Sequence, residues 1–164
     1  MIDPMAFRQA LSHFATGVTV VTTRDADDQP IGVTASSFNS VSLTPPLVLW
    51  SIGRNAYSYP AFAETEHFAV HVLGEHQQEW SNRFGRAGAD KFGGLKWHEG
   101  IAALPLLEGC PVRFECVVEH RYEGGDHMIL VGRVLRVSEA EHAAAPLLFH
   151  RGRYAALDSA SEGR

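Results

Sequence analysis

The sequence predicts a mainly β fold with peripheral helices, and three stretches carry that prediction. Val112 to Tyr122 alternates apolar and polar residues, His127 to Val137 does the same, and only Glu123-Gly124-Gly125-Asp126 separates them. Alternation marks a half-buried strand, and a short glycine-bearing link between two such runs makes a hairpin. Leu47 to Ile52 is a nearly continuous apolar run after Pro45-Pro46, the pattern of a strand buried on both faces and hence of a central strand. Val18 to Thr23 is rich in β-branched residues, which suit a pleated surface.

The remaining elements follow in chain order. Asp3 before Pro4 reads as an N-cap with proline at the first helical position; Phe7, Leu11 and Phe14 then share a face, and Gly17 ends the helix. After the Val18 to Thr23 strand, Asp25 to Pro30 supplies a polar turn and Ile31 to Ala35 returns as its hairpin partner. Ala56 to Glu64 reads as a short helix, Phe68 to Leu73 as a strand, and Glu75 to Phe84 as an amphipathic helix. Gly85 to Gly100, with five glycines among Arg, Lys, Phe and Trp, reads as a long surface loop. Residues 1–157 form a single domain, followed by a polar tail, 158–164, expected to be frayed.

Composition narrows the function classes. The chain has 164 residues, 45% hydrophobic and 20% charged, which is the balance of a soluble globular protein. Its 14 Lys plus Arg against 19 Asp plus Glu leave a net charge of -5 and no basic stripe, so nucleic-acid binding is not expected. No membrane-spanning run and no signal peptide are read, which makes the cytoplasm the expected location. Cys110 and Cys116 lie six apart, without the spacing of a redox pair or a zinc site, and read as reduced structural thiols.

Three chemistries compete for the polar residues. His67 and His71 have the i, i+4 spacing that holds zinc on a helix, but on a strand four residues span roughly 13 Å, too far for one ion to bridge. No metal site is expected. Ser36, Ser37, Ser40 and Ser42 coexist with Asp126 and His127, yet there is no Gly-x-Ser-x-Gly elbow. Neighbours on an extended segment also point to opposite faces, so Asp126 is not expected to orient the His127 ring. Thr34, Ser36 and Ser37 stand at a strand end where hydroxyls and backbone N–H groups can converge on an anion, or else bond their own turn; both readings stay open. The glycine-rich motifs of the common nucleotide-binding loops are absent.

Four ordered stretches resemble one known family. They are Phe14-Ala15-Thr16-Gly17-Val18-Thr19-Val20-Val21-Thr22; Gly32-Val33-Thr34-Ala35-Ser36-Ser37-Phe38-Asn39-Ser40-Val41-Ser42-Leu43-Thr44-Pro45-Pro46; Gly125-Asp126-His127; and Pro146-Leu147-Leu148-Phe149-His150-Arg151-Gly152-Arg153-Tyr154. Together they resemble the flavin reductases, the small components of two-component flavin-dependent monooxygenases such as 4-hydroxyphenylacetate and phenol hydroxylases. The resemblance runs from about Phe7 to Leu157.

It implies a split β-barrel of Greek-key type that binds FMN or FAD near the interface of a homodimer. By similarity Thr34, Ala35, Ser36 and Ser37, with Ser40, Val41 and Ser42, contact the flavin ring and ribityl chain. Ser51, Ile52, Arg54, Asn55 and Ser58 lie along the phosphate side, and Phe84 and Gly85 close over it. Gly125, Asp126 and His127 form the nicotinamide-binding tripeptide, His127 being the catalytic residue, while Arg151, Arg153 and Tyr154 help hold the dinucleotide.

The implied reaction is NAD(P)H-dependent flavin reduction, with NADH preferred over NADPH. The cofactors carry that chemistry and the protein orients them. Reduced flavin would pass to a separate monooxygenase component. Two alternatives stay open: a split-barrel flavin- or haem-binding protein without turnover, and a same-fold reductase with another acceptor such as a corrinoid or a ferric chelate.

Overall fold

The computed structural model describes residues 1–88 and 90–158. The frayed tail expected after Leu157 therefore lies, from Ser159 onward, outside the described residues.

Asp3 caps the first helix, α1 (Pro4–Leu11): its carboxylate accepts the Ala6 N–H at 3.2 Å, and Pro4 takes the first helical position. The helix stops at Leu11 rather than near Gly17, which leaves Phe14 beyond it, and none of its residues is buried. Then follow β1 (Thr16–Gly17), β2 (Thr19–Arg24), β3 (Pro30–Ala35), β4 (Asn39–Leu43) and β5 (Pro46–Gly53). A short helix α2 (Tyr59–Glu64), β6 (His67–Val72) and a 3-10 turn at Glu75–Gln77 lead into α3 (Gln78–Phe84). The chain ends with β7 (Trp97–Glu99), β8 (Pro105–Leu107), β9 (Val112–Gly124), β10 (His127–Glu139), β11 (Leu148–His150) and β12 (Arg153–Ala155).

Seven strands form one antiparallel sheet in the order β3-β2-β6-β9-β10-β5-β4. The expected β9–β10 ribbon is its backbone, bulged between Val131 and Gly132 and between Val134 and Arg136; such bulges bend a sheet toward closure. The closure is incomplete. Among the described residues no ladder pairs edge strand β3 with β5; the Ser37 hydroxyl, just past β3, bridges them by accepting the Ser51 N–H at 2.8 Å and donating to the Ser51 carbonyl at 3.2 Å. This open seam makes the barrel a split one, as expected.

Two apolar clusters fill the interior. In the first, the fully buried Trp50 meets Phe62 and Phe68 edge-on, with ring centroids 4.8 and 5.9 Å apart. The second joins Val18, Val20, Leu73, Phe84 and Phe92 beneath α3. Each side chain taken fully out of water contributes about 1.5–3 kcal/mol, so these clusters hold the seam's two walls in place.

Three sequence expectations change. The β5 strand is penultimate, not central: it pairs with β10 and β4 and buries only Val48, Trp50 and Ile52, because its other face carries the half-buried Leu47, Leu49 and Ser51. The stretch 85–100 is not all surface. Lys91 and Phe92 turn inward, Phe92 against the Phe84 ring at 5.2 Å and the Lys91 ammonium onto the carbonyls of Phe84 (3.0 Å) and Gly32 (3.3 Å). Finally, β9 is covered on both faces in its first half, at Glu115 and Cys116. Glu115 is 1% exposed, accepts the Ile101 N–H at 2.8 Å and pairs with the Arg136 guanidinium. Burial opposes its ionisation, but those hydrogen bonds outweigh burial and hold its pKa below the usual carboxylate range.

His67 and His71 do lie on β6, and the buried His71 ring is spent on backbone: Nδ1 lies 3.0 Å from the Val20 carbonyl and Nε2 accepts the Leu107 N–H at 2.9 Å. Both cysteines are free and buried, and burial pushes the thiols up to about 11 for Cys110 and about 12 for Cys116. Among the described residues, no helix is long and apolar enough to cross a membrane.

Candidate functional site

The seam between β3 and β5 opens into a groove of about 630 Å³. One wall is Val33 to Ser37 at the end of β3, the other Trp50 to Gly53 at the end of β5, and Leu11 and Phe14 border it from the N-terminal segment. Strand ends of this kind expose backbone N–H groups that the sheet no longer uses, while the strands keep them rigidly placed. His127 stands in the same groove.

Register explains why His127 arrives there. It is the first residue of β10 and pairs directly with Gly53, the last residue of β5. A Cβ on Gly53 would lie 3.7 Å from His127 Nε2, so the imidazole rests over a position with no side chain of its own. The other ring nitrogen, Nδ1, lies 2.7 Å from Asp126 Oδ1. Here the expectation that the two side chains diverge is overturned. Asp126 is not on an extended strand but in the two-residue turn with Gly125, whose φ of +70° swings the carboxylate back to the ring. The hydrogen bond from His127 keeps the Asp126 pKa below the ordinary carboxylate value. With Nδ1–H donated to Asp126, Nε2 is left as an acceptor facing the groove.

A second hollow of about 320 Å³ adjoins the first, sharing Thr34 and Ser36 with it. Its lining includes Ser81, Asn82, Gly85, Arg86, Phe149 and Tyr154. The Thr34 hydroxyl donates to the Ser81 carbonyl at 2.7 Å, which fastens β3 to α3. Tyr154 from β12 reaches the same helix: its hydroxyl lies 2.6 Å from Ser81 Oγ and donates to Asn82 Oδ1 at 2.8 Å. Exposed Arg86 supplies the cation at this end.

Of the residues singled out from the sequence, Thr34, Ala35, Ser36, Ser37, Ser51, Ile52 and His127 converge on the groove, while Gly85 and Tyr154 line the hollow beside it. Others lie elsewhere. Ser40, Val41 and Ser42 sit on edge strand β4, outside both cavities. Ser58 is 3% exposed at the start of α2, and Phe84 is fully buried under Gly32, so neither reaches the groove. Asn55 is exposed in the turn after β5. Arg151 stands beside α1, its N–H donating to the Ser12 carbonyl, and Arg153 is exposed on β12. Arg54 points away from the groove toward the β9–β10 turn.

Sequence reasoning missed Thr16, Trp50 and Gly53, whereas Arg86, one of three arginines with Arg54 and Arg151 whose forked guanidinium suits a dinucleotide 2′-phosphate, lines the hollow. Thr16 and Trp50 carry a signal that only the packed structure reveals. Among the described residues, Thr16 Oγ1 and Trp50 Nε1 are buried polar atoms with no hydrogen-bond partner in the protein, and both residues line the groove. The groove itself sets apolar Val33, Ile52 and Ala56 beside Ser36 and Ser37, a mixed lining that suits a flat heteroaromatic ligand with a polar edge, so the residues present fit a flavin ring.

Comparison with known proteins agrees with this geometry. Residues 11–158 match the flavin reductase like domain family. The chain is 41% identical over 157 residues to HsaB, the reductase subunit of a flavin-dependent monooxygenase from Rhodococcus jostii (strain RHA1), covering 96% of this chain and 80% of that one. It is 45% identical over 149 residues to the FMN reductase (NADH) SmoA of Agrobacterium fabrum (strain C58 / ATCC 33970), covering 91% and 83%. Among solved structures, the NADH:FAD oxidoreductase SgcE6 of Streptomyces globisporus C-1027, in complex with NAD and FAD fragments, superposes with a TM-score of 0.90 at 35% identity and covers 99% of each chain. Some longer relatives are matched over about half their length.

Proposed function

Because the chain belongs to the flavin reductase like family, we propose that it is an NAD(P)H:flavin oxidoreductase that delivers reduced flavin to a separate monooxygenase component. The observation that carries this reading is the His127 ring, held by Asp126 at the mouth of the β3–β5 seam with Nε2 free to accept. Relatives named for FMN with NADH and for FAD with NADH support either flavin, and NADH as the reductant.

Thr34 to Ser37 and Ser51 to Gly53 would hold the flavin ring, and Gly85, Arg86 and Tyr154 the phosphate end of the molecule. When bound, the flavin supplies an electron-accepting ring that takes a hydride from the dinucleotide. The protein contributes placement. Backbone N–H groups at the strand ends would orient one ring, and His127 would accept a hydrogen bond from the nicotinamide carboxamide, lowering the entropy that a collision of free molecules would lose. No group in the groove needs to move a proton for this.

A homodimer completes the proposal. Its support is the apolar surface left over: Met5, Phe7, Leu11 and Phe14 at the N-terminus, and Val41 and Leu43 on β4, are all exposed. A reductase that draws on NADH would work in the cytoplasm, where that reductant is kept.

The test is to follow NADH and NADPH oxidation at fixed protein with FMN, then FAD. Flavin-dependent turnover is expected, and His127→Ala should raise KM for NADH about tenfold, the loss of one oriented hydrogen bond, with KM for flavin nearly unchanged. Flavin binding without turnover would instead support a carrier, and equal effects of His127→Ala on both substrates would remove His127 from the nicotinamide site.

A further inference from the structure

Arg54 follows the last residue of β5, where the family resemblance sets it along the flavin phosphate. Its contacts run in another direction. The guanidinium Nε–H donates to the Gly125 carbonyl at 3.1 Å, the backbone N–H of the same residue donates to the Asp126 carbonyl at 2.9 Å, Nη2 lies 3.7 Å from the Glu123 carboxylate, and Nη1 reaches the Tyr59 hydroxyl at 3.4 Å. One side chain therefore ties the end of β5 and the start of α2 to the turn that carries Asp126 and His127. Arg54 lines neither the groove nor the hollow beside it.

We propose that Arg54 is a positioning residue that fixes the Gly125-Asp126-His127 turn over the end of β5, and that it is not a ligand of the flavin phosphate. The need for such a clamp is visible in the turn itself. His127 is only the first paired residue of β10, next to a two-residue link at the end of the ribbon, so the side-chain position depends on what holds that link from outside the hairpin. Binding the carbonyls of both turn residues from one neighbouring residue supplies that hold. The planar guanidinium donates to the Gly125 carbonyl and the Tyr59 hydroxyl from different nitrogens while a third faces the Glu123 carboxylate as an ion pair, an arrangement a lysine ammonium cannot copy. Because the side chain is 38% exposed, its contribution is to orientation rather than to overall stability.

The proposal rests on the reading that His127 faces the nicotinamide, and its test separates the two. Arg54→Ala and Arg54→Lys are prepared beside His127→Ala and the double variant Arg54→Ala/His127→Ala. Hydrogen exchange of the flavin-free protein reads positioning directly: peptides covering residues 121–129 should exchange faster in both Arg54 variants, and unchanged exchange overturns the clamp. Flavin fluorescence titration reads the phosphate: FMN and riboflavin should each bind the Arg54 variants within about twofold of wild type, the scatter expected when no contact is lost. Selective loss of FMN binding, restored by lysine, would make Arg54 a phosphate ligand and overturn the proposal.

In turnover, Arg54→Ala should raise KM for NADH several-fold with FMN and riboflavin alike, and the double variant should be no worse than His127→Ala. Additive losses would show that Arg54 does not act through His127. A flat response to His127→Ala would remove the nicotinamide role of His127, and a rise in Arg54→Ala beside that flat response would overturn any action through this ring.

Discussion

His71 lets the structure be tested through acid stability. Its ring is wholly buried between β2 and β8, with Nδ1–H donated to the Val20 carbonyl and Nε2 accepting from Leu107, so both nitrogens are committed to the neutral form. A proton added at Nε2 would break the Leu107 bond and place a charge in the core. Burial accordingly drives its pKa from 6.5 down to about 4, only partly opposed by the Val20 hydrogen bond. The unfolded chain takes up this proton near pH 6.5, whereas the folded chain resists until about pH 4. The contribution is therefore complete above pH 6.5 and is lost as the pH falls through that window. At about 1.4 kcal/mol per pH unit, the depression amounts to about 3 kcal/mol.

The assay is urea unfolding followed by tryptophan fluorescence at pH 7, 6, 5 and 4.5, on wild type and on His71→Gln, which keeps a donor and an acceptor but does not titrate in this range. At pH 7 the variant should be less stable, because an amide cannot span both backbone partners. Between pH 6.5 and 4 it should then lose less stability than wild type, the gap narrowing by up to about 3 kcal/mol. Parallel pH profiles for the two proteins, or a His71 ring that titrates near 6.5 by NMR, would refute the reasoning.

The other predictions concern packing and the groove. Gly132→Ala places a Cβ inside the Phe68 ring contact and 3.0 Å from the Cys116 Cβ, so thermal or urea unfolding should show a loss of about 1–3 kcal/mol from overpacking. Ser37→Ala removes the hydroxyl that joins both sides of the seam at Ser51; flavin dissociation constants should rise while unfolding midpoints move little, since this residue is exposed. Asp126→Ala frees the His127 ring to rotate and to change tautomer, and should raise KM for NADH by less than His127→Ala does, with KM for flavin unchanged.

Much of the fold was legible because its signals are local. Asp3-Pro4 states its own cap, the paired runs around Gly124-Gly125 state their own hairpin, and each required only short-range rules. The misplacement of β5 has a physical cause: a continuous apolar run reports burial, not position, and a penultimate strand whose outer face is half covered looks the same as a central one. Lys91 and Glu115 were invisible for the opposite reason. Charged residues are normally solvated, and the burial of Lys91 depends on the carbonyls of Phe84 and the distant Gly32, that of Glu115 on Arg136, which is also remote in sequence.

The site shows where local rules end and register begins. Thr34 to Ser37 could be picked out as a hydroxyl-rich strand end, but whether those hydroxyls face a ligand or the protein depends on what β3 lies against. The structure divides them: Thr34 and Ser37 bind the carbonyl of Ser81 and the backbone of Ser51, acting as ties, while the exposed Ser36 is shared by both cavities. The same holds across the groove. Nothing in the tripeptide at 125–127 announces that Gly53 will sit beneath His127 or that Arg54 will grip the turn, because both follow from the antiparallel pairing of β10 with β5. Shifting that pairing by one residue would turn His127 to the other face of the sheet and leave the Arg54 guanidinium without the Gly125 carbonyl. The register of one strand pair therefore sets the orientation of the ring that faces the groove, and a variant that loosens the end of β5 should act on nicotinamide binding before it acts on the fold.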